Sequence, residues 1–253
     1  MKAARSAKKH SPSSARGRLE QRTALVTGGN AGIGLAIARA LAQEGCSLLI
    51  AGRDAHSLAR AGKELAHPGI RILHQVCDVR NPEAVDDLLA VGKKEFSKLD
   101  ILVNNAGVGH RNRMVDELPV KDWQQVIETN LTGMFLVTRA ALPLRRAGAT
   151  IVNNLSIAAT RVFPGSAAYN ASKHGALGFT RTLREELRSK RIRVIALMPG
   201  ATDTAIWKTL WPDAPRGKMI KPETVADALI SALVLPENST VEELVLMPTA
   251  GTL

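Results

Sequence analysis

Aromatic residues, cysteines and long apolar runs are all scarce in this chain of 253 residues. Phe, Trp and Tyr together make up 3% of the sequence, and Tyr169 is the single tyrosine. Two cysteines, Cys46 and Cys77, are too few for the disulfide framework of a small secreted fold, and no Cys/His cluster has zinc-site spacing. No apolar run approaches the roughly 18 residues that a membrane-spanning helix needs. We therefore expect a cytoplasmic protein in a reducing setting, with no metal site and no membrane partner.

Acidic residues are outnumbered, with 34 Lys or Arg against 23 Asp or Glu and a formal net charge of +11. Six of the basic residues and no acidic residue lie within 1–18, which is polar and lacks apolar periodicity. This composition predicts a disordered basic tail over 1–18 and one folded domain over 19–253. The tail has no apolar segment of a secretory signal, although Arg- and Ser-rich starts without acidic residues also occur in organelle transit peptides.

A positive net charge also raises the possibility of nucleic-acid binding. That function needs Lys and Arg clustered on one face, and single strands are further held by stacking on aromatic rings. Beyond residue 18 the charges are scattered, with 28 basic against 23 acidic residues, and aromatic residues are few. We therefore expect no nucleic-acid partner.

From residue 23 onward, short apolar runs alternate with amphipathic stretches of helical length. The apolar runs predict strands at 23–27, 46–51, 70–76, 100–104, 149–155, 192–198 and 243–247. The amphipathic stretches predict helices at about 32–44, 54–66, 82–97, 119–145, 167–189 and 222–235. This alternation indicates an α/β, doubly wound (Rossmann) fold, in which a seven-stranded parallel sheet carries helices on both faces. Such a sheet binds ligands beyond the carboxyl ends of its strands.

The first predicted strand leads directly into a glycine-rich turn, TGGNAGIG at 27–34, and then into a helix. Glycine allows a tight turn and a close approach by a diphosphate, and the helix start presents free N–H groups to an anion. Gly32 and Gly34 also allow the helix to pack closely on the strands. Between a first strand and a first helix, such a turn predicts a dinucleotide site.

The end of the second strand indicates which dinucleotide is bound. An acid at this place binds the ribose 2′-hydroxyl of NAD, whereas this chain has Gly52 and Arg53. Arginine can pair with a 2′-phosphate through a planar fork of donors, which favours NADP(H) over NAD(H). The alternative is that Arg53 only starts the next helix and Asp54 caps it. Asp78, after the third strand, can accept a hydrogen bond from the adenine amino group or serve as a turn residue.

The single tyrosine lies four residues before a lysine and 13 residues after a serine. Tyr169 and Lys173 share one face of a helix, and Ser156 follows the fifth strand. Because a nearby ammonium favours tyrosinate, we expect Lys173 to lower the pKa of Tyr169 from its usual value of about 10. Tyr169 can then act as a general acid toward a carbonyl oxygen, or as a base toward an alcohol. The alternative is an ordinary Tyr/Lys pair on a solvated helix.

Five motifs occur together and in one order. They are Thr27-Gly28-x3-Gly32-Ile33-Gly34, Asn104-Asn105-Ala106-Gly107, Ser156, Tyr169-x3-Lys173 and Pro199-Gly200. In this combination the chain resembles the short-chain dehydrogenase/reductase superfamily in its single-domain form. The resemblance covers residues 20–253 and leaves only the tail outside.

The resemblance implies a role for each matching residue. Tyr169 corresponds to the catalytic acid/base, Lys173 to the residue that lowers the tyrosine pKa and binds the nicotinamide ribose, and Ser156 to the serine that polarises the substrate oxygen. Asn130 corresponds to the asparagine that bends its helix and holds a water beside the lysine. Cofactor contacts are implied for Gly28, Asn30, Ala31, Gly32, Ile33, Gly34, Arg53, Asp78, Val79, Asn105, Ala106, Gly107, Tyr169, Lys173, Pro199, Gly200, Thr202 and Thr204.

The implied activity is hydride transfer between NADP(H) and a small-molecule carbonyl or secondary alcohol. Two alternatives stay open, the same chemistry with NAD(H) and a catalytically silent NADP(H)-binding regulator. The resemblance also implies a homo-oligomer, dimer or tetramer, formed through the helices at 119–145 and 167–189. The chain departs from the pattern at Leu155, where the family often has serine, and lacks the usual glycine-rich finish, which argues against a role in fatty-acid synthesis.

Substrate choice is expected to lie in the loops at 107–116, 157–166 and 201–220. The last loop contains Ile206, Trp207, Leu210 and Trp211, which form either a mobile lid or an ordinary packing stripe. Four basic residues can attract an anionic substrate, although solvent-exposed charge is their commonest state and the one we expect. They are His110, Arg111, Arg113 and Arg161.

Overall fold

Seven parallel strands form one sheet in the computed structural model, which describes residues 17–252. The strands are β1 (Thr23–Thr27), β2 (Ser47–Gly52), β3 (Ile72–Val76), β4 (Ile101–Asn104), β5 (Thr150–Asn154), β6 (Arg193–Pro199) and β7 (Glu243–Leu246). Their order, β3-β2-β1-β4-β5-β6-β7, changes direction between β1 and β4. At such a switch point the loops of neighbouring strands diverge and leave a crevice. The predicted doubly wound α/β fold is confirmed.

Eight α-helices connect the strands within the described residues. They are α1 (Gly32–Gln43), α2 (Ala55–Glu64), α3 (Pro82–Phe96), α4 (Val120–Ile127), α5 (Gly133–Ala141), α6 (Ala167–Arg188), α7 (Trp207–Leu210) and α8 (Pro222–Leu233). The predicted helix at 119–145 is interrupted, because a π-helical turn at Glu128–Thr132 separates α4 from α5. The four-residue α7 is not among the predicted helix ranges, since so short a helix leaves no periodic pattern.

Two apolar layers sandwich the sheet, and successive strand residues belong to opposite layers. Val26 packs with residues of α1, α2 and α8, including Ile37 and Leu229. Leu25 packs on the other face with residues of α3, α5 and α6, including Leu88 and Leu183. Because both faces are covered, the strands read as continuous apolar runs rather than alternating ones. The sheet is therefore a rigid base for the loops at its carboxyl edge.

Arg18, which the sequence analysis placed in the tail, contacts the folded domain. The backbone N–H of Arg18 donates to Glu44 Oε2 at 2.9 Å, its guanidinium pairs with the same carboxylate, and Leu19 is buried. Arg18 therefore belongs to the folded domain and not to the predicted tail. Residues 1–16 of the predicted tail lie outside the described residues.

No helix within residues 17–252 is both long and apolar enough to cross a membrane. The same part of the chain brings no group of three or more His, Cys, Asp or Glu side chains together as metal ligands. Cys46 and Cys77 are free and buried, and burial raises the pKa of the Cys77 thiol to about 11. These thiols are protonated at neutral pH and unreactive.

Candidate active site

A cavity of about 700 Å³ opens beyond the carboxyl ends of β1 to β6. It is lined by most of the residues to which the sequence analysis assigns a role. They are Gly28, Asn30, Ala31, Gly32, Ile33, Arg53, Asp78, Val79, Asn105, Ala106, Gly107, Ser156, Tyr169, Lys173, Pro199, Gly200, Thr202 and Thr204. Two assigned residues, Gly34 and Asn130, lie behind the wall rather than in it.

The glycine-rich turn has a backbone that only small residues tolerate. Gly28 and Gly32 have φ values of +63° and +54°, in the left-handed region that favours glycine. A Cβ added to Gly34 would lie 2.2 Å from the Gly28 carbonyl oxygen, so this residue lets α1 approach the turn. No side chain caps the start of α1, so the N–H groups of its first turn stay available. This cradle fits the diphosphate of a dinucleotide.

Asn105 fixes the glycine-rich turn to the end of β4. Its Nδ2 donates to the carbonyl oxygens of Thr27 and Gly28 at 3.0 and 3.1 Å, and its backbone N–H donates to Thr27 Oγ1 at 3.0 Å. Asn105 therefore both lines the cavity and braces the turn.

Asn154, to which the sequence analysis assigned no role, extends this bracing to β5. Its Nδ2 donates to Asn105 Oδ1 at 2.8 Å, and its backbone oxygen accepts from Lys173 Nζ at 3.2 Å. One hydrogen-bonded chain thus runs from the glycine-rich turn to the lysine. The available signal was the pair of asparagines, Asn153 and Asn154, that ends an otherwise apolar strand.

Arg53 and Asp78 lie at the end of the cavity next to the carboxyl ends of β2 and β3. Arg53 is exposed and lines the cavity, while Asp54 caps α2 by accepting from the Ser57 N–H at 2.7 Å. Arg80 Nε and Nη2 donate to the two Asp78 oxygens at 3.0 and 2.6 Å, and this pairing lowers the pKa of Asp78. Asp78 is therefore an ionised wall residue already held by Arg80, and Arg53 is left as the basic wall residue at this end of the cavity.

Ser156, Tyr169 and Lys173 meet where β5 ends against α6. Lys173 is 5% exposed, and its Nζ lies 5.5 Å from the centroid of the Tyr169 ring. Ser156 Oγ accepts from the Ala158 N–H at 3.1 Å, so its own hydroxyl proton can be donated to Tyr169 or to a ligand. The three side chains present two hydroxyls and one ammonium at the same wall of the cavity.

The expectation that Lys173 lowers the pKa of Tyr169 below its usual value is wrong. Burial raises the pKa of Tyr169, and a hydrogen bond with Ser156 only partly opposes that effect. Burial also lowers the pKa of Lys173 to about 8. Both shifts have one cause, because a site removed from water disfavours tyrosinate and ammonium alike.

Asn130 lies in the π-helical turn, so the predicted irregularity of its helix is present. Its Oδ1 accepts from the Val108 N–H at 2.8 Å, and its Nδ2 donates to the Val108 oxygen at 2.9 Å and to Ser172 Oγ at 3.1 Å. The side chain therefore holds the loop after β4 against α6. Asn130 contacts the wall residue Val108 but does not itself line the cavity.

All three loops predicted to choose the substrate line the cavity. The Trp207 indole N–H donates to the Thr202 oxygen at 2.8 Å, and Leu210 packs against Gly109 of the loop opposite. None of the four basic residues considered for anionic substrates lines this cavity. His110 and Arg111 line a smaller neighbouring cavity of about 530 Å³, whose wall also includes Arg53.

Residues 22–215 match a family model described as short chain dehydrogenase. The chain belongs to the short-chain dehydrogenase family. An uncharacterized oxidoreductase of Staphylococcus aureus (strain USA300) is 32% identical over 232 residues, which cover 91% of this chain and 98% of that protein. The chain is therefore a member of an oxidoreductase family over nearly its whole folded length.

Solved structures of short-chain dehydrogenases share this architecture. One from Burkholderia cenocepacia J2315, in complex with NADP, aligns with a TM-score of 0.84 at 31% identity over 92% of this chain and 99% of its own. A 3-ketoacyl-(acyl-carrier-protein) reductase from Brucella melitensis, complexed with NADH, aligns with a TM-score of 0.82 at 29% identity over 91% and 98%. The same fold thus holds either nicotinamide dinucleotide in other members of the family.

Proposed function

We propose that this short-chain dehydrogenase is an NADP(H)-dependent enzyme that interconverts a carbonyl compound and a secondary alcohol. The observation that carries the proposal is the meeting of Ser156, Tyr169 and Lys173 at one wall of a cavity that also contains the glycine cradle. A regulator without turnover has no need of this set. Since solved relatives hold either dinucleotide, the choice of NADP(H) depends on Arg53, the exposed basic group at the end of β2.

The glycine-rich turn and the start of α1 would hold the diphosphate, Arg53 the 2′-phosphate, and Tyr169 and Lys173 the nicotinamide ribose. The bound nicotinamide would supply or accept the hydride. During reduction, the Tyr169 hydroxyl donates its proton to the carbonyl oxygen, and the Ser156 hydroxyl donates a hydrogen bond to the same oxygen. Because the pKa of Tyr169 is raised, the phenol is protonated at neutral pH, which suits it to reduction.

Replacement of Tyr169 by phenylalanine tests the proton-transfer role directly. We expect NADPH oxidation with a panel of ketones to fall by about 100-fold or more, because general acid catalysis contributes factors of that size. NADPH titration of the variant, followed by fluorescence, controls for loss of cofactor binding. Equal activity of Tyr169→Phe and the wild type would show that the proposed mechanism is wrong.

Replacement of Arg53 by alanine tests the choice of cofactor. A charge-assisted contact with the 2′-phosphate is worth about 1.5–3 kcal/mol, so the Kd for NADPH should rise by about 10- to 100-fold while that for NADH changes little. Arg60→Ala is the matched control, since Arg60 is an exposed arginine of α2 outside the cavity wall. Equal losses for both dinucleotides would remove the 2′-phosphate assignment.

A further inference from the structure

The cavity has two chemically different ends. Apart from Lys173, its charged wall residues follow β2 or β3 and are Arg53, Asp54 and Asp78. Beyond Ser156 and Tyr169 the wall consists mainly of apolar side chains from the loops after β5 and β6. They are Ile157, Phe163, Pro164, Trp207, Leu210 and Trp211.

Several polar groups at this apolar end already have partners within the protein. Ser166 Oγ donates to Asn112 Oδ1 at 3.0 Å, and Thr252 Oγ1 accepts from Arg161 Nη1 at 2.5 Å. The indole N–H of Trp207 is likewise used by a backbone oxygen. A ligand in this part of the cavity therefore meets mainly carbon atoms.

Within residues 17–252, no cationic side chain lines this end of the cavity, and the Arg161 guanidinium lies behind the wall residue Thr252, to which it donates. Arg111, Arg113 and Arg161 are exposed, and none of them is in the wall of the larger cavity. Moving a carboxylate from water into such surroundings without a cationic or hydrogen-bonding partner is strongly unfavourable. The absence of a cation among the described wall residues at the apolar end therefore disfavours an anionic group there.

Helix α7 and the adjacent Trp211 supply apolar surface that a ligand can cover. Leu210 reaches across to the backbone of Gly109, while the adjacent Trp211 lines the cavity and is 41% exposed. Covering an aromatic side chain of this kind removes apolar area from water and stabilises the complex in proportion to that area. Substrates with a larger apolar group should therefore bind more tightly.

We propose that the substrate is an uncharged ketone, or the matching secondary alcohol, whose carbonyl carries a bulky apolar group. This inference rests on the proposed carbonyl–alcohol chemistry and adds the substrate class to it. The reacting oxygen lies at Ser156 and Tyr169, and the apolar group extends between the 157–166 loop and the α7 segment. A carboxylate on that group places a charge where the wall residues that the structure describes offer no cation.

The test compares matched pairs of aryl methyl ketones, one with a para-alkyl group and one with a para-carboxylate. With NADPH and the holoenzyme, kcat/KM should favour the alkyl ketone by at least about tenfold, and should rise with alkyl length. Preference for the carboxylate would overturn the inference while leaving the proposed function intact. Absence of turnover with every ketone, despite NADPH binding, would overturn the proposed function and this inference with it.

Two variants test whether the preference for the alkyl ketone arises from the residues that line the apolar end. Phe163→Lys puts a cation at the apolar end and should shift the alkyl-to-carboxylate preference by about tenfold toward the carboxylate. Its matched control is Val162→Lys, because Val162 is 77% exposed and lies outside the wall. Trp211→Ala should reduce kcat/KM for long-chain ketones more than for short ones. This second variant tests the inference even if Phe163→Lys does not fold. Equal effects of Trp211→Ala on long and short ketones, or the same shift in both lysine variants, would contradict the inference.

Discussion

Lys173 carries its ammonium in a place that disfavours charge. Its side chain is 5% exposed, one backbone oxygen accepts from Nζ, and the pKa is lowered to about 8 from a usual 10.5. The folded protein thus holds a proton on Lys173 less firmly than the unfolded chain does. Protonation of Lys173 consequently opposes folding.

This difference predicts how stability depends on pH. The unfavourable contribution of Lys173 should be full below about pH 8, shrink as pH rises, and vanish above about 10.5, where both states are neutral. Between pH 8 and 9.5, the free energy of unfolding of the wild type should rise relative to that of Lys173→Met. Urea unfolding of both proteins across that range measures the difference. A difference that stays constant with pH would show that the lysine is not desolvated.

At this scale the sequence predicts which side chains meet, but not their proton affinities. The four-residue spacing is enough to place Tyr169 beside Lys173 on α6. The pKa of each group, however, depends on how completely the loops after β5 and β6 remove it from water. Those loops are distant in sequence and irregular, so no local pattern reports their effect.

Close packing of α1 on the glycine-rich turn is an element-scale requirement. Gly34→Ala would place a Cβ 2.2 Å from the Gly28 oxygen and 2.3 Å from Asn105 Nδ2, so backbone must move. We expect a loss of about 1–3 kcal/mol in unfolding free energy and weaker NADPH binding. Guanidinium unfolding and a cofactor titration measure the two effects.

Gly178 offers the matched control for that substitution. It lies within α6, and a Cβ added there meets no atom within 4 Å. Gly178→Ala should therefore stabilise the protein by about 0.5–1 kcal/mol, because alanine loses less backbone freedom than glycine in a helix. Equal destabilisation by both substitutions would argue against a special role for Gly34.

Apolar periodicity predicted the regular elements to within a few residues, whereas the irregularity at Asn130 was expected only from the family resemblance. All seven strands and the helices around 32–44, 54–66, 82–97, 167–189 and 222–235 occur where the apolar patterns predicted them. Inside 119–145 the apolar face continues through the π-helical turn, so periodicity gives no sign of the break. The break depends on contacts of Asn130 with Val108 and Ser172, which only the folded chain brings together.

For the whole molecule, association through α4, α5 and α6 stays a prediction. Trp123 of α4 is 41% exposed, and Phe135 of α5 is 43% exposed, with its ring edge-on to Phe179 at 6.1 Å. Exposed aromatic side chains on helices are typical of protein–protein contacts. These residues lie on the helices expected to pack against a partner.

Light scattering tests this association. The wild type should have the mass of a dimer or tetramer, and Phe135→Glu should shift it toward the monomer because a carboxylate is unfavourable in an apolar contact. Val162→Glu is the control, because Val162 is exposed and lies on a loop away from α4 and α5. A monomeric wild type would contradict the prediction.

The bond between Asn105 and the glycine-rich turn has a consequence during synthesis on the ribosome. The turn and the side chain that pins it are 77 and 78 residues apart in sequence, and β1 pairs with β4 through the same long separation. At about 5–20 residues per second, that length takes roughly 4–16 s to translate. Until β4 has been translated, the edge of β1 that pairs with β4 is free, and the glycine-rich turn lacks its hydrogen bonds to Asn105. We therefore expect nascent chains that end before β4 to be open to unwanted strand pairing and unable to hold a nucleotide.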